Sequence, residues 1–274
     1  MSTIGMMQGR LSPAPAGRLQ QFPRDWAGEL ASVAAAGFSS VEWLVTAESI
    51  AHNPILSEDG AGEIQRAGAR HGVSVRSLCA DGFIHLPLVD ASARDERLDL
   101  LNRLITAAHR IAARIVVLPF LEGNAFASMS HAATVLRQMA SSLDRAADAR
   151  VTLAVESDWP AAGLHALLDE AAHPSLGLCY DTGNAVSSGF DPAREIRALG
   201  SRVVEVHIKD RRKGRSVPLG EGEVDFEAVL AALDDIGFTG PLILETPAGG
   251  DPMASAIANR MFLETVVRDR QVSR

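Results

Sequence analysis

Eight times along its 274 residues the chain repeats one pattern: a short run of β-branched and apolar residues, then a longer segment rich in Ala, Leu, Arg and Glu at helical spacing. The runs begin near Thr3, Ser40, Val73, Arg114, Val151, Leu176, Arg202 and Pro241. Helical segments between them include Trp26 to Ala36, Asp95 to Ala112, Ser130 to Ala149 and Phe226 to Ile236. Parallel strands covered by helices are buried on both faces, which accounts for runs such as RIVVLPF and PLILE. An open doubly wound sheet has the same alternation, but no G-x-G-x-x-G follows the first run, and eight units is the count at which such a sheet closes. The expected fold is therefore α/β, a (β/α)8 barrel forming a single domain over residues 1–274.

Local signals agree with this frame. AAAGFSSVEWL and LDDIGFTGPLILE each end a helix on a glycine, Gly37 and Gly237, followed by a Phe able to fold back over the last turn. Asp225 reads as the N-cap of the last repeat, with Glu227 in its positive first turn. A composition of 47% hydrophobic and 22% charged residues suffices for a sizeable core and excludes disorder. The net charge of -8, from 34 acidic against 26 basic side chains, disfavours a nucleic-acid partner, although a local basic loop can still hold a phosphate. Cys79 and Cys179 lie inside apolar runs and read as reduced core thiols. The segment MSTIGMMQGRL lacks the charge and apolar pattern of a signal peptide, and no stretch approaches about 18 apolar residues, so no membrane association and a cytoplasmic location are expected.

Functional groups of α/β folds gather where strands end. VTLAV ends in Glu156, LGLCY in Asp181, RVVEV in His207 and PLIL in Glu245. A carboxylate placed straight after a buried run is costly unless paired or bound to a cation, and three converging carboxylates repel one another. One divalent ion is the simplest means of neutralising them. Three oxygen ligands and one imidazole suit Mn2+, Mg2+, Co2+ or Zn2+, and no thiolate forces zinc.

Other residues stand near these ends. Gln8 and Arg10 close the first run and are candidates for substrate hydroxyls or a phosphate, with an ion pair within the rim as the other reading for Arg10. Glu42 and Trp43 end the second run, and Asp81 and His85 follow the third. Asp81 is assigned to substrate, while Trp43 is either a sugar-facing wall or a side chain packed under its loop. The stretch HIKDRRKGRSVPLGEGEVDF concentrates Lys209, Arg211, Arg212, Lys213 and Arg215 in an otherwise acidic chain. Lys209, two residues beyond His207, shares its face, and it and Arg215 are assigned to substrate, the remainder to a solvated charge run. Glu205 lies one layer deeper, where it either orients His207 or pairs within the barrel. Asn184, three residues after Asp181, completes the substrate-binding set.

The segments LAVES, LCYDTGN, VEVHIKD and LILET, with the entry MQGRLSP, resemble the xylose-isomerase-like TIM barrels, the sugar (phosphate) isomerase/epimerase superfamily that also contains endonuclease-IV-like nucleases. The resemblance spans nearly the whole chain. It implies metal ligands at Glu156, Asp181, His207 and Glu245, a small carbohydrate substrate, and proton exchange by Glu156 and Glu245 on opposite faces of a metal-stabilised enediolate. In that scheme Glu156 takes the first proton and Glu245 returns one. The choice among Mn2+, Mg2+, Co2+ and Zn2+ stays open. Free-sugar 3-epimerases carry His where this chain has Asn184, and D-x-G-N is closer to sugar-phosphate members. Dehydratases of keto-cyclitols or dehydroshikimate-like substrates share the scaffold and the enolising step, so a lyase is the alternative. The multi-zinc nucleases need a histidine at position 184 and further ones in the seventh-strand loop, which this chain lacks; a metal-free scaffold conflicts with the intact ligand set. Assembly into a homo-oligomer is left open.

Overall fold

The computed structural model describes residues 2–12 and 21–272. Pro13 of the MQGRLSP segment, Met1 and residues 273–274 fall outside the described residues. Eight strands form a closed parallel barrel: β1 (Ile4–Met7), β2 (Ser40–Leu44), β3 (Ser74–Cys79), β4 (Ile115–Pro119), β5 (Thr152–Glu156), β6 (Leu176–Asp181), β7 (Val203–Ile208) and β8 (Leu242–Leu244). Each pairs with its neighbours in chain order, and β8 closes on β1 with Ile4 opposite Leu242.

The glycine-ended helices form as their sequences suggest. At Gly37 (φ 87°) the glycine N–H donates to Ala34 O and Phe38 N–H reaches back to Val33 O at 3.1 Å; Gly237 (φ 66°) and Phe238 repeat the arrangement on Asp234 and Leu233. Asp225 caps its helix by accepting the Ala228 N–H at 2.9 Å. One expectation is corrected. The segment read as one helix over Ser130 to Ala149 is two, Met129–Gln138 and Ala140–Ala149, separated by Met139 with φ -86° and ψ 3°. The apolar spacing runs unbroken through residue 139, so the sequence carries no mark of the turn. Both halves bury apolar faces, Val135 and Leu136 before it and Leu143 and Ala146 after it.

Alternation along the strands divides the core in two. Trp43, Leu78, Leu118 and Leu153 face outward into the large layer between barrel and helices. The barrel interior holds two small clusters, Met7, Leu44, Cys79 and Ile243, and Ile115, Val117, Ala154 and Cys179; both cysteines are buried thiols. Trp43 is a core side chain, packed by Phe22 and Trp26 with its Nε1 donating to Asn53 Oδ1 at 2.9 Å. No helix among the described residues is long and apolar enough to cross a membrane.

After β7 the chain forms an antiparallel hairpin, Asp210–Arg212 against Arg215–Val217. Its anchor is Asp210, fully buried, whose Oδ1 accepts the N–H groups of Arg211 and Val224 and whose Oδ2 accepts those of Gly220 and Gly222, at 2.8 to 3.1 Å. Hydrogen bonds to a charged acceptor contribute about 1.5–3 kcal/mol each, and orphaned donors cost as much again. Asp210→Ala is therefore expected to lower the midpoint of thermal unfolding by on the order of 10 °C. Differential scanning calorimetry checks this, and a change below experimental error would show that the loop is held by other contacts.

Candidate metal and substrate site

The C-terminal ends of β5 to β8 deliver four ligating side chains to one place. Glu156, Asp181, His207 and Glu245 each offer an atom within 4.8 Å of the others, and all four are buried. Their convergence follows from register: Asp181 on β6 lies opposite His207 on β7, and Glu245 directly follows β8, its N–H bonded to Ile208 O. His207 turns Nδ1 toward this cluster, 3.3 Å from Glu245 Oε2 and 3.8 Å from Glu156 Oε1. Among the described residues neither ring nitrogen has an aligned hydrogen-bond partner.

Two cations press on the cluster from the protein side. Lys209 Nζ lies 2.8 Å from both Asp181 Oδ2 and Glu245 Oε1, and Arg10 Nη2 reaches Glu245 Oε1 at 3.3 Å. Gly183 makes room for the first, since a Cβ there would meet the Lys209 stem at 2.7 Å. Burial acts against charge at Lys209, but Asp181 and Glu245 outweigh it and hold the ammonium above the ordinary lysine range. Burial would raise Glu245 likewise; Lys209, then His207 and Arg10, overrule it and hold the carboxyl well below the usual range. Glu156 differs. Burial raises it, with His207 offsetting only part, and Asn184 Nδ2 donates to its Oε1 at 3.3 Å. Asp181 also caps the short helix Thr182–Ser187, its Oδ1 accepting the Asn184 N–H at 2.8 Å. Burial opposes a charged His207, yet the carboxylates around it, Glu42 and Glu156 among them, push it above the ordinary imidazole range. Burial also pushes Cys179 up, so it remains a thiol and the carboxylates supply the charge.

A cavity of about 340 Å³ opens over this cluster, lined by Asp81, Asn184, Lys209 and Arg211 along with Glu156, His207 and Glu245. That volume suits a small molecule. A larger cavity of about 590 Å³ lies at the opposite end of the barrel beside Ile4 and Leu242; its charged groups pair with each other, as Arg270 does with Asp234, and among the described residues no ligating cluster meets there.

Of the residues assigned to substrate, Asp81, Asn184 and Lys209 line the cavity. Burial, then Glu245 and Glu156, raise the Asp81 carboxyl to about 7. Gln8 and Arg10 do not line it. Gln8 is turned into the barrel, its Oε1 accepting the Leu44 N–H, and Arg10 is spent on Glu245 and on Met7 Sδ at 3.4 Å. Arg215 does not line the cavity either: it stands exposed on the far strand of the hairpin, opposite Arg212. Beside Lys209, Arg211 of this stretch also reaches the mouth, and among the described residues its buried Nε has no hydrogen-bond partner. Period two from His207 through Lys209 to Arg211 marks it in the sequence, had the strand been extended past Ile208. His85 is exposed.

The xylose isomerase-like TIM barrel family matches residues 30–266. The chain belongs to that family. It is 31% identical over 191 residues to an L-ribulose-5-phosphate 3-epimerase of Salmonella paratyphi C, covering 65% of this chain and 66% of the relative, just under two thirds of its length. With the L-ribulose-5-phosphate 3-epimerase of Shigella boydii it shares 30% identity over 209 residues, 70% of this chain and 72% of that one. Among solved structures, an L-ribulose 3-epimerase superposes with a TM-score of 0.78 at 21% identity, covering 100% of this chain and 98% of that one. A xylose isomerase domain protein from Planctomyces limnophilus gives 0.78 at 20% identity, with 98% of each chain covered. At such identities the superpositions speak for the family fold alone.

Proposed function

We propose that the chain is a divalent-metal-dependent isomerase or epimerase of a small sugar or sugar phosphate, built as one barrel domain over residues 1–274. The observation that carries this reading is the convergence of Glu156, Asp181, His207 and Glu245 within 4.8 Å under a cavity of about 340 Å³. Three carboxylates that close together call for a cation, and a donor set of three oxygens and one nitrogen fits Mn2+, Mg2+, Co2+ or Zn2+. When bound, a divalent ion supplies Lewis-acid stabilisation of negative charge on a carbonyl oxygen and the hydroxyl oxygen beside it.

The protein supplies the proton transfers. Glu156 and Glu245 both line the cavity and are suited to exchange carbon-bound protons, Glu156 taking the first and Glu245 returning one. Lys209 and Arg10 fix Glu245, and Asn184 fixes Glu156. Asp81, Glu122 and Asp158 along the cavity wall offer acceptors to sugar hydroxyls, and Arg211 offers its guanidinium to a phosphate. The named relatives act on a ribulose 5-phosphate, which supports a ketose phosphate.

The test is solvent exchange. In D2O with Mn2+ or Co2+, panels of ketoses, ketose phosphates and keto-cyclitols are followed by NMR for deuterium bound to carbon. Exchange in at least one ketose or its phosphate without loss of water is expected. Loss of water would move the chain to the lyases, and no exchange across the panel would defeat the proton-transfer reading.

A further inference from the structure

Beneath the candidate metal site the barrel interior carries a second set of polar groups that the proposed chemistry does not use. Glu42 from β2, Ser77 from β3 and Glu205 from β7 are all fully buried at 0% exposure. Glu42 and Ser77 are register partners across adjacent strands, and Ser77 Oγ lies 2.9 Å from Glu205 Oε1 and 3.3 Å from Glu42 Oε1. The ring of His207 connects this layer to the one above. While Nδ1 faces Glu245 and Glu156, Nε2 lies 3.1 Å from Glu42 Oε2 and 3.8 Å from Glu205 Oε1.

Among the described residues Glu42 Oε2 and His207 Nε2 are both buried atoms without an aligned hydrogen-bond partner, and they face each other at 3.1 Å. Buried polar atoms left unsatisfied are rare and call for an explanation. Here a small rotation of the ring satisfies both at once. A ligand atom on Nδ1 would fix that rotation, because a metal-bound imidazole presents its other nitrogen as an N–H donor.

We propose that Glu42, rather than Glu205, is the positioning residue that holds the Nε2–H of His207 and so aims the Nδ1 lone pair at the space between Glu156, Asp181 and Glu245. The inference rests on the metal-site reading of those four residues. Period two along β7 points to Glu205, but a side chain two residues away on the same strand extends alongside the histidine and stops at 3.8 Å. Glu42 comes from across the barrel and meets the ring at its lower edge. Glu205 instead accepts from Ser77 at 2.9 Å, the shorter of the two contacts this hydroxyl makes, the other being to Glu42 Oε1 at 3.3 Å.

The two glutamates are separable by single-atom substitutions. Glu42→Gln removes the charged acceptor, and Mn2+ or Co2+ binding followed by calorimetry should weaken by about 10- to 100-fold, with a changed Co2+ absorption spectrum. Glu205→Gln retains an oxygen for the Ser77 hydroxyl and should leave affinity and spectrum near those of the unsubstituted protein. Equal losses in both variants, or none in Glu42→Gln, would overturn the assignment while leaving the metal reading intact. An unsubstituted protein that binds neither ion would sink both. If Glu42→Gln does not fold, 15N-detected NMR of the unsubstituted Zn2+-loaded protein decides: a proton on Nε2 of His207 is expected, and a proton on Nδ1 overturns the proposal.

Discussion

Replacing Glu245 or Glu156 by glutamine should abolish turnover in both variants, while only the Glu245 variant loses stability. Each substitution removes a group assigned to proton transfer, a contribution of about 100- to 10,000-fold, and a metal ligand besides. Activity alone therefore does not tell the two apart. Stability does, because their surroundings differ. Glu245 is clamped by Lys209 at 2.8 Å and Arg10 at 3.3 Å, and its carboxyl is held below the usual range. Glu245→Gln strips a partner from two buried cations, a loss of about 3–5 kcal/mol for a broken buried pair. Glu156 has no cationic partner of that kind among the described contacts; burial raises its carboxyl, so its ionised form opposes folding. Glu156→Gln, isosteric and neutral, is expected to leave the metal-stripped protein as stable as before or more so.

The pH dependence follows with its sign. A carboxyl depressed in the fold stabilises above its unfolded pKa, and that contribution is lost as pH falls through the folded value. Glu245→Gln should thus cost most near neutrality and progressively less as the medium is acidified below the ordinary glutamate range. Glu156, being raised, should show the reverse, its substitution helping most where the unsubstituted side chain is forced to ionise. Chemical denaturation of chelator-treated protein at several pH values checks both. Equal destabilisation by the two substitutions at neutral pH would contradict the electrostatic asymmetry of the site.

The four converging residues are readable in the sequence because each ends an apolar run, and a closed parallel barrel brings all strand ends to one rim. What is not readable depends on contacts between segments far apart in the chain. Glu42 meets His207 across the barrel interior, a contact set by strand stagger, which no local period reports. Asp210 collects N–H groups from 10 to 14 residues ahead, so its role appears only once the loop has folded back. Arg211 and Arg215 look alike within one basic stretch; the tight turn at Lys213 and Gly214, both at positive φ, sends the second to the far side of a hairpin. Arg10 presents the converse case. Of the two readings for it, the structure displays the ion pair, with Glu245 Oε1 at 3.3 Å.

Lys209→Met should make the protein depend on its metal. The ammonium lies at 2.8 Å from both Asp181 and Glu245, so in metal-stripped protein it contributes much of the positive charge that lets these carboxylates stay buried and ionised. Methionine keeps the length of the stem over Gly183 and removes the charge. Without added metal, breaking the buried pairs is expected to cost about 3–5 kcal/mol, a fall in the unfolding midpoint on the order of 10 °C. Saturating Mn2+ should recover most of that deficit, because an ion bound only to the folded chain stabilises it by mass action and neutralises the same carboxylates. The metal-induced rise in midpoint should therefore be larger in Lys209→Met than in the unsubstituted protein, and calorimetry with and without a chelator measures the difference. Removing a like charge from beside a cation site also favours the ion, so the variant should bind Mn2+ at least as tightly even as it loses catalytic rate. Equal metal-induced rises in the two proteins would mean that Lys209 acts on a substrate and has no electrostatic link to the metal. A larger rise, with activity lost, would show one lysine balancing the site's charge and holding Glu245 for proton transfer.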